Sequence, residues 1–310
     1  MGRMRISRTH DFNTWSNLFK LAFPENKETA TEEHYNWKFD NAIEYGAYDN
    51  GMIGYYAAIP YVYLIGSKVV IAGMVCDVMT HPDRRNNGVF KKMGDHATRD
   101  MAENKIDFVT GYPIRKEVLP GHLKVGWKVA FKLPMYFKLG LFDWFNFKGN
   151  RYSTEILSRD EFVKMNGYGT FFVKWRYLNQ NVLVKTKEFL SWRTGAPGTD
   201  YKFIVIRDRG IVRGMAITRE TVLKGLKVTA ILDIMILDKA CLKYIYKAVK
   251  GNAVVMASKV TAGKLNFFRN GFFRTPFVFK LIFKRLNKSI KESEFDIKRW
   301  SLMWVDSDDL

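Results

Sequence analysis

The chain has 310 residues, 47% of them hydrophobic and 26% charged. That size and balance suit about two globular domains and exclude a disordered or fibrous chain. Lys and Arg outnumber Asp and Glu by 50 to 31, and a net charge of +19 favours anionic partners: nucleotide cofactors, acidic carrier proteins, membrane surfaces or nucleic acid. The basic residues are scattered, with no block long enough for a nucleic-acid-binding arm. No apolar run reaches the length of a membrane span, and the start of the chain lacks the apolar core of a signal peptide. Met1-Gly2 opens a myristoylation pattern that Ile6 breaks. No Cys/His cluster has zinc spacing, so no metal is expected. Cys76 and Cys241 lie in apolar runs, as buried thiols of a cytoplasmic protein do.

In chain order, Phe12, Trp15, Leu18, Phe19 and Ala22 share one stripe and predict a helix over 11–22. Thr31 is placed to cap a second helix over 32–39. Strands follow over 44–49, 52–64 and 68–80. Turns at Asp49-Asn50-Gly51 and Ile65-Gly66-Ser67 separate them, where Asn and Gly accept a positive φ. Tyr55, Tyr56, Tyr61 and Tyr63 fall in one strand region, mostly as core and cross-strand pairs, with some open to a sugar- or aromatic-binding cleft. A helix over 88–104, a short strand over 106–111, a helix over 116–124 and a strand from Trp127 complete the first half. Residues 131–148 mix aromatics with lysines; they read as closing strands and connector, or as a peripheral membrane contact.

The segment Thr80-His81-Pro82-Asp83-Arg84-Arg85-Asn86-Asn87-Gly88-Val89-Phe90 joins the third strand to an amphipathic helix whose buried face carries Val89 or Phe90, Met93, Ala97 and Met101. Arg84, Arg85, Lys91 and Lys92 crowd the helix start, which is the wrong sign for the positive end of a helix dipole. A bound anion, held by free N–H groups of the loop and first turn, removes the conflict; a solvated basic turn is the alternative.

Pro82-x-x-Arg85-x-x-Gly88-x-Phe90, between a strand and a helix, resembles the pyrophosphate loop of the GNAT superfamily of acyl-CoA N-acyltransferases. That loop reads Arg/Gln-x-x-Gly-x-Gly/Ala, and Phe90 departs from its last small residue, where it could serve as a helix-packing residue. The order helix, helix, antiparallel strands, loop, helix, strand, helix, strand is similar to that of the family. The resemblance implies a gap between splayed strands 69–80 and 106–111 that takes the donor's pantetheine arm. It also implies cofactor contacts at Val78, Met79, Thr80, Arg84, Arg85, Asn86, Asn87, Gly88, Val89, Phe90 and Lys91.

The second half repeats landmarks of the first. Gly51 to Gly66 spans 15 residues, as does Gly210 to Gly225. Trp37-Lys38 is matched by Trp192-Arg193, Asp77-Val78 by Asp233-Ile234, and Gly126-Trp127 by Gly271-Phe272. After Asp233 no Arg-x-x-Gly loop follows, and the gap to the second Gly-aromatic turn shrinks from 49 residues to 38. The expected fold is therefore mixed α/β: two tandem GNAT-like units, each a mostly antiparallel twisted sheet flanked by helices. Residues 1–150 carry the loop; residues 151–310 lack it and shape the acceptor site. The tandem pattern resembles mycothiol synthase-like acetyltransferases. Trp37-Lys38-Phe39, the 80–90 loop and Trp304 with Asp306-Ser307-Asp308 resemble GNAT proteins associated with polysaccharide biosynthesis.

Transfer from a thioester to an amine needs carbonyl polarisation, a neutral amine and a proton for the departing thiolate. The resemblance implies a backbone N–H at Val78, Met79 or Thr80 for the first. For the thiolate it places His122, four residues before Gly126, where family members carry Tyr; Tyr112 is the alternative donor. Asp77, Glu117 and the tail Asp306-Ser307-Asp308-Asp309-Leu310 are candidates for the base. Asp77 lies inside an apolar strand, needs a partner there, and shares a structural place with Asp233.

The function implied is N-acetyl transfer from acetyl-CoA or another acyl-CoA to a small primary amine such as an amino sugar. Alternatives are an acyl-carrier-protein donor, a Fem-type enzyme using aminoacyl-tRNA, and a non-catalytic binding module. The loop counts against tRNA.

Overall fold

The computed structural model describes residues 4–115, 118–140, 151–288 and 290–307. Met1-Gly2, Glu117, the stretch 141–148 and the tail from Asp308 lie outside the described residues. The chain divides into two compact units. The first comprises residues 1–63, 68–130 and 281–294; the second comprises 64–67, 131–280 and 295–310.

The first unit contains β1 (Arg5–Arg8), α1 (Phe12–Ala22), α2 (Glu32–Phe39), β2 (Ile43–Tyr48), β3 (Met52–Ile65), β4 (Lys68–Thr80), α3 (Val89–Glu103), β5 (Phe108–Gly111) and α4 (Val118–Lys124). Asp11 caps α1 by accepting from the Thr14 N–H, and Thr31 caps α2 by accepting from that of His34. β2 pairs antiparallel with β3, from Ile43↔Ala58 to Tyr48↔Met52. β1 was not expected: four residues of mixed polarity carry no alternation to read, and they become a strand by pairing with β2 from Arg5↔Tyr48 to Arg8↔Tyr45.

β4 runs parallel to β5, from Ala72↔Phe108 to Met74↔Thr110, and α3 supplies the crossover that a parallel pair requires. The pairing stops at Met74 while β4 continues to Thr80. On its other edge β5 pairs antiparallel with residues 282–285. Val89, Met93, Ala97 and Met101 of α3 bury their stripe against Tyr45, Tyr56, Val75, Val109 and Trp127. Burying each such aliphatic side chain contributes roughly 1.5–3 kcal/mol. Trp15, Tyr35, Phe39 and Tyr55 form a separate ring cluster. Tyr55, Tyr56, Tyr61 and Tyr63 are all buried, so they are core residues and open to no cleft.

The second unit contains the later part of β6 (Lys128–Lys138), then β7 (Ser153–Leu157), α5 (Arg159–Lys164), α6 (Tyr168–Tyr177), β8 (Asn181–Leu183), α7 (Lys187–Arg193), β9 (Tyr201–Asp208), β10 (Ile211–Leu223), β11 (Leu226–Ile236), α8 (Leu242–Ala248), β12 (Ala253–Met256), α9 (Lys259–Lys264) and the start of β13 (Phe272–Arg285). β9, β10 and β11 form an antiparallel meander. β12 lies parallel to β11, from Thr229↔Ala253 to Ile231↔Val255, with α8 as crossover. β12 also pairs antiparallel with β6, from Ala253↔Lys138 to Met256↔Met135. The succession helix, three antiparallel strands, crossover helix, parallel strand, helix, closing strand is thus the same in both units. Each is a mostly antiparallel sheet flanked by helices, as the sequence predicts.

Candidate active site

β4 kinks at Asp77, whose φ of +46° lies in the left-handed region. Such strain costs on the order of 1–3 kcal/mol and persists only where neighbours hold it. Here Lys38, at the end of α2, donates from Nζ to Asp77 Oδ1 over 2.9 Å, with both side chains 13% exposed. A kink of this kind re-aims the backbone groups that follow it. Beyond it Val78, Met79 and Thr80 line a cavity of about 570 Å³.

The loop after Thr80 is built by local hydrogen bonds. His81 Nδ1 accepts from the Asp83 N–H at 3.3 Å over the turn Pro82–Arg84. Arg84 pairs with Asp49 at 3.3 Å. Asn86 and Gly88 take φ of +67° and +73°, and Gly88 opens α3 from the left-handed conformation. That helix has no side-chain cap and no acid in its first turn, so its first N–H groups lack a side-chain acceptor.

Every expected cofactor residue except Asn87 lines the cavity, which is completed by Ala22 and Phe23 at the end of α1, by Arg115, and by Val118, Gly121 and Lys124 of α4. No carboxylate is among the described lining residues, and Arg85, Lys91 and Lys124 have no ion-pair partner among the described residues. Uncapped N–H groups and cations, with no carboxylate among the described lining residues, have the donor chemistry that suits an anion.

Phe90 occupies the position where the resembling loop has a small residue, and Gly121 explains how it fits. A Cβ on Gly121 would approach Phe90 Cε1 to 3.3 Å, so glycine lets α4 pack on this ring without the ring having to shift. The Phe90 ring lies edge-on to His122 at 4.9 Å, and His122 lies edge-on to Trp127 at 5.0 Å. His122 is buried and Nδ1 donates to the Val118 carbonyl at 3.1 Å, while burial lowers its pKa and keeps it neutral. His122, Tyr112 and Asp77 are all absent from the cavity lining; His122 and Tyr112 are buried, and Asp77 is tied to Lys38. Sequence reading missed Arg115, Lys124, Gly121 and Phe23. Only Arg115 and Lys124 carried a signal, as cations flanking the helix after β5.

In the second unit, Asp233, the expected counterpart of Asp77, lies beside a bulge in β11. Arg193, the expected counterpart of Lys38, instead donates to the Ser307 carbonyl at 2.5 Å. Asp233 is held by Lys185 at 2.8 Å, and Lys185 also meets Asp306 at 3.1 Å, all three being buried. Two carboxylates face one ammonium, so burial pushes Asp306 up to about 6. The Ile234 N–H, next after Asp233, meets Met303 Sδ at 3.2 Å. Asp306 and Ser307 of the expected acidic tail are therefore packed inside the second unit and do not line the cavity of the first. The turn before α8 starts with Asp238, which accepts from the Ala240 N–H; an acid stands where the first unit has its cationic loop.

No helix among the described residues is long and apolar enough to cross a membrane. No curated protein matches the chain in sequence. Residues 3–130 match the family model of the acetyltransferase (GNAT) domain. The chain is similar in structure to a GCN5-related N-acetyltransferase from Anabaena variabilis ATCC 29413, with TM-score 0.74 and 13% identity over 92% of this chain and 73% of that one. A conserved protein from Enterococcus faecalis V583 gives TM-score 0.73 at 13% identity, with the same coverage. A GCN5-related N-acetyltransferase from Kribbella flavida gives 0.66 at 10%, over 92% of this chain and 72% of that one. Residues 3–130 thus match a GNAT acetyltransferase domain, and the chain carries the fold of these structures.

Proposed function

We propose that the protein is an N-acyltransferase that moves an acetyl group from acetyl-CoA to the primary amine of a small molecule such as an amino sugar, by direct attack in a ternary complex. The observation that carries this reading is the cationic cavity between the kinked end of β4 and the uncapped start of α3, with no carboxylate among its described lining residues. Its donor set fits a pyrophosphate. Arg85 and Lys91 supply charge, the first-turn N–H groups supply directed donors, and Gly88 lets the backbone come close. Val78, Met79 and Thr80 supply the backbone beside which the thioester would lie.

When bound, the donor contributes an activated carbonyl. The amine nitrogen forms the new C–N bond, the C–S bond breaks, the amine loses a proton and the sulfur gains one. The second half of the chain has no such loop, and its equivalent backbone N–H, at Ile234, is taken by Met303. This supports one donor site per chain.

Calorimetric titration of acetyl-CoA into the wild type and Gly88→Trp tests the reading. No atom lies within 4 Å of a Cβ at Gly88, so a large side chain enters open space, but at φ +73° any side chain strains the turn by about 1–3 kcal/mol, and a thermal melt must show the variant folded. The expected result is micromolar binding lost in a folded variant, followed by turnover with a panel of amines. In that panel Tyr112→Phe and His122→Gln separate a proton donor, which shifts the pH–rate profile, from a packing residue, which does not. Absence of acetyl-CoA binding to the wild type would sink the proposal and direct attention to carrier-protein and tRNA donors.

A further inference from the structure

The cavity holds more positive charge than a pyrophosphate uses, and part of that charge comes from elements other than the loop. Arg85 and Lys91 belong to the loop and the first turn of α3. Arg115 and Lys124 come from the segment after β5 and from the end of α4. Arg115 is fixed in place: its guanidinium lies 4.5 Å above the Phe23 ring and pairs with Glu25. A guanidinium has five N–H donors, so one carboxylate and one aromatic face leave donors to spare. Lys124 has no carboxylate partner among the described residues.

A phosphopantetheine arm on a carrier protein brings one phosphodiester, with a charge of about −1. Coenzyme A brings a pyrophosphate and a ribose 3′-phosphate monoester, the latter alone about −1.5 to −2 at neutral pH. With Arg84 matched by Asp49 and Arg115 by Glu25, the lining charges without an ion-pair partner among the described residues are those of Arg85, Lys91 and Lys124, while Arg115 keeps spare N–H donors. That surplus suits the more highly charged donor.

We infer that Arg115 and Lys124 form a subsite for the 3′-phosphoadenosine end of the donor, which makes the enzyme select free coenzyme A thioesters over carrier-protein thioesters. This rests on the acyl-CoA reading above and deepens it. Arg115 is a specificity residue here, oriented by Phe23 and Glu25, and takes no part in bond making.

The test is calorimetric titration with acetyl-CoA and with acetyl-3′-dephospho-CoA, whose only difference is the missing monoester. Wild type should prefer acetyl-CoA by at least about tenfold, the usual value of a hydrogen bond between charged groups. The preference should collapse in the double variant Arg115→Gln/Lys124→Gln, which thermal melting must show to be folded. Arg85→Gln should weaken both ligands alike and leave the ratio intact. Equal wild-type affinities would overturn the subsite while leaving the donor reading standing. A preference that survives in the double variant would overturn the assignment to these two residues. Binding of neither ligand would overturn the donor reading, and the subsite with it.

Discussion

Lys185→Met removes the ammonium that faces two buried carboxylates. Lys185, Asp233 and Asp306 have side chains 1%, 2% and 0% exposed, with Nζ–O distances of 2.8 and 3.1 Å. Breaking a buried pair by deleting one partner costs about 3–5 kcal/mol, because the charge left behind has no water. At about 2–4 °C per kcal/mol for a unit of this size, the melting temperature should fall by roughly 6–20 °C. The loss also has a signed pH dependence. Without Lys185 the burial that already raises Asp306 goes unopposed, so its folded-state pKa rises further above the unfolded value and the folded variant binds a proton that the unfolded chain does not. Its deficit is then largest above pH 7 and shrinks as pH falls towards 5. Urea titrations of wild type and variant at pH 7.5 and pH 5, followed by circular dichroism, measure both quantities. A loss below about 1 kcal/mol, or one independent of pH, would refute the reasoning. Lys38→Met provides the scale: its carboxylate partner Asp77 is 13% exposed, so the cost should be only about 1–2 kcal/mol.

Asp306→Asn should flatten one part of the wild-type stability profile. With a folded value near 6 against 3.8 unfolded, Asp306 makes the wild type lose about 3 kcal/mol in all as pH rises from about 3 to above 7, about 2 kcal/mol of it between pH 4 and 6, and the difference between wild type and variant should level off above about 7. Gly121→Ala sets a helix-propensity gain of about 0.5–1 kcal/mol against crowding of the Phe90 ring at 3.3 Å, so the same substitution should be more favourable in a Phe90→Leu background than in the wild type; chemical denaturation of the two single variants and the double variant decides this, and equal effects in both backgrounds would refute the contact.

The sequence made the first unit legible wherever a period or a turn residue marked it. The stripe of Trp15, Leu18 and Phe19, the Thr31 cap and the glycine turns placed α1, α2 and the hairpins to within a residue or two. The loop from Thr80 to Lys91 was legible because four cations at a helix start contradict the helix dipole unless an anion is present. What could not be read depended on distant neighbours. Asp233 needed a partner, but nothing local names Lys185, 48 residues away. The departure at Phe90 was visible, and the glycine that accommodates it was not, because the two residues meet only when α3 packs on α4. His122 was selected by spacing from Gly126. That spacing fixes its turn of helix but not its wall, and the wall proves to be the aromatic side, between Phe90 and Trp127.

The bookkeeping of strands bears on how such a chain can be cut. Residues 281–294 count with the first unit, where β5 hydrogen-bonds to 282–285 and the buried Thr110 hydroxyl donates to the Ile282 carbonyl at 3.0 Å. A fragment ending near residue 150 would therefore leave Phe108–Gly111 as a bare apolar edge, the kind of strand that recruits another chain. The second unit in turn draws residues 131–138 from before the midpoint. Neither half is a transferable module, and recombination at the midpoint would deprive each product of a closing strand.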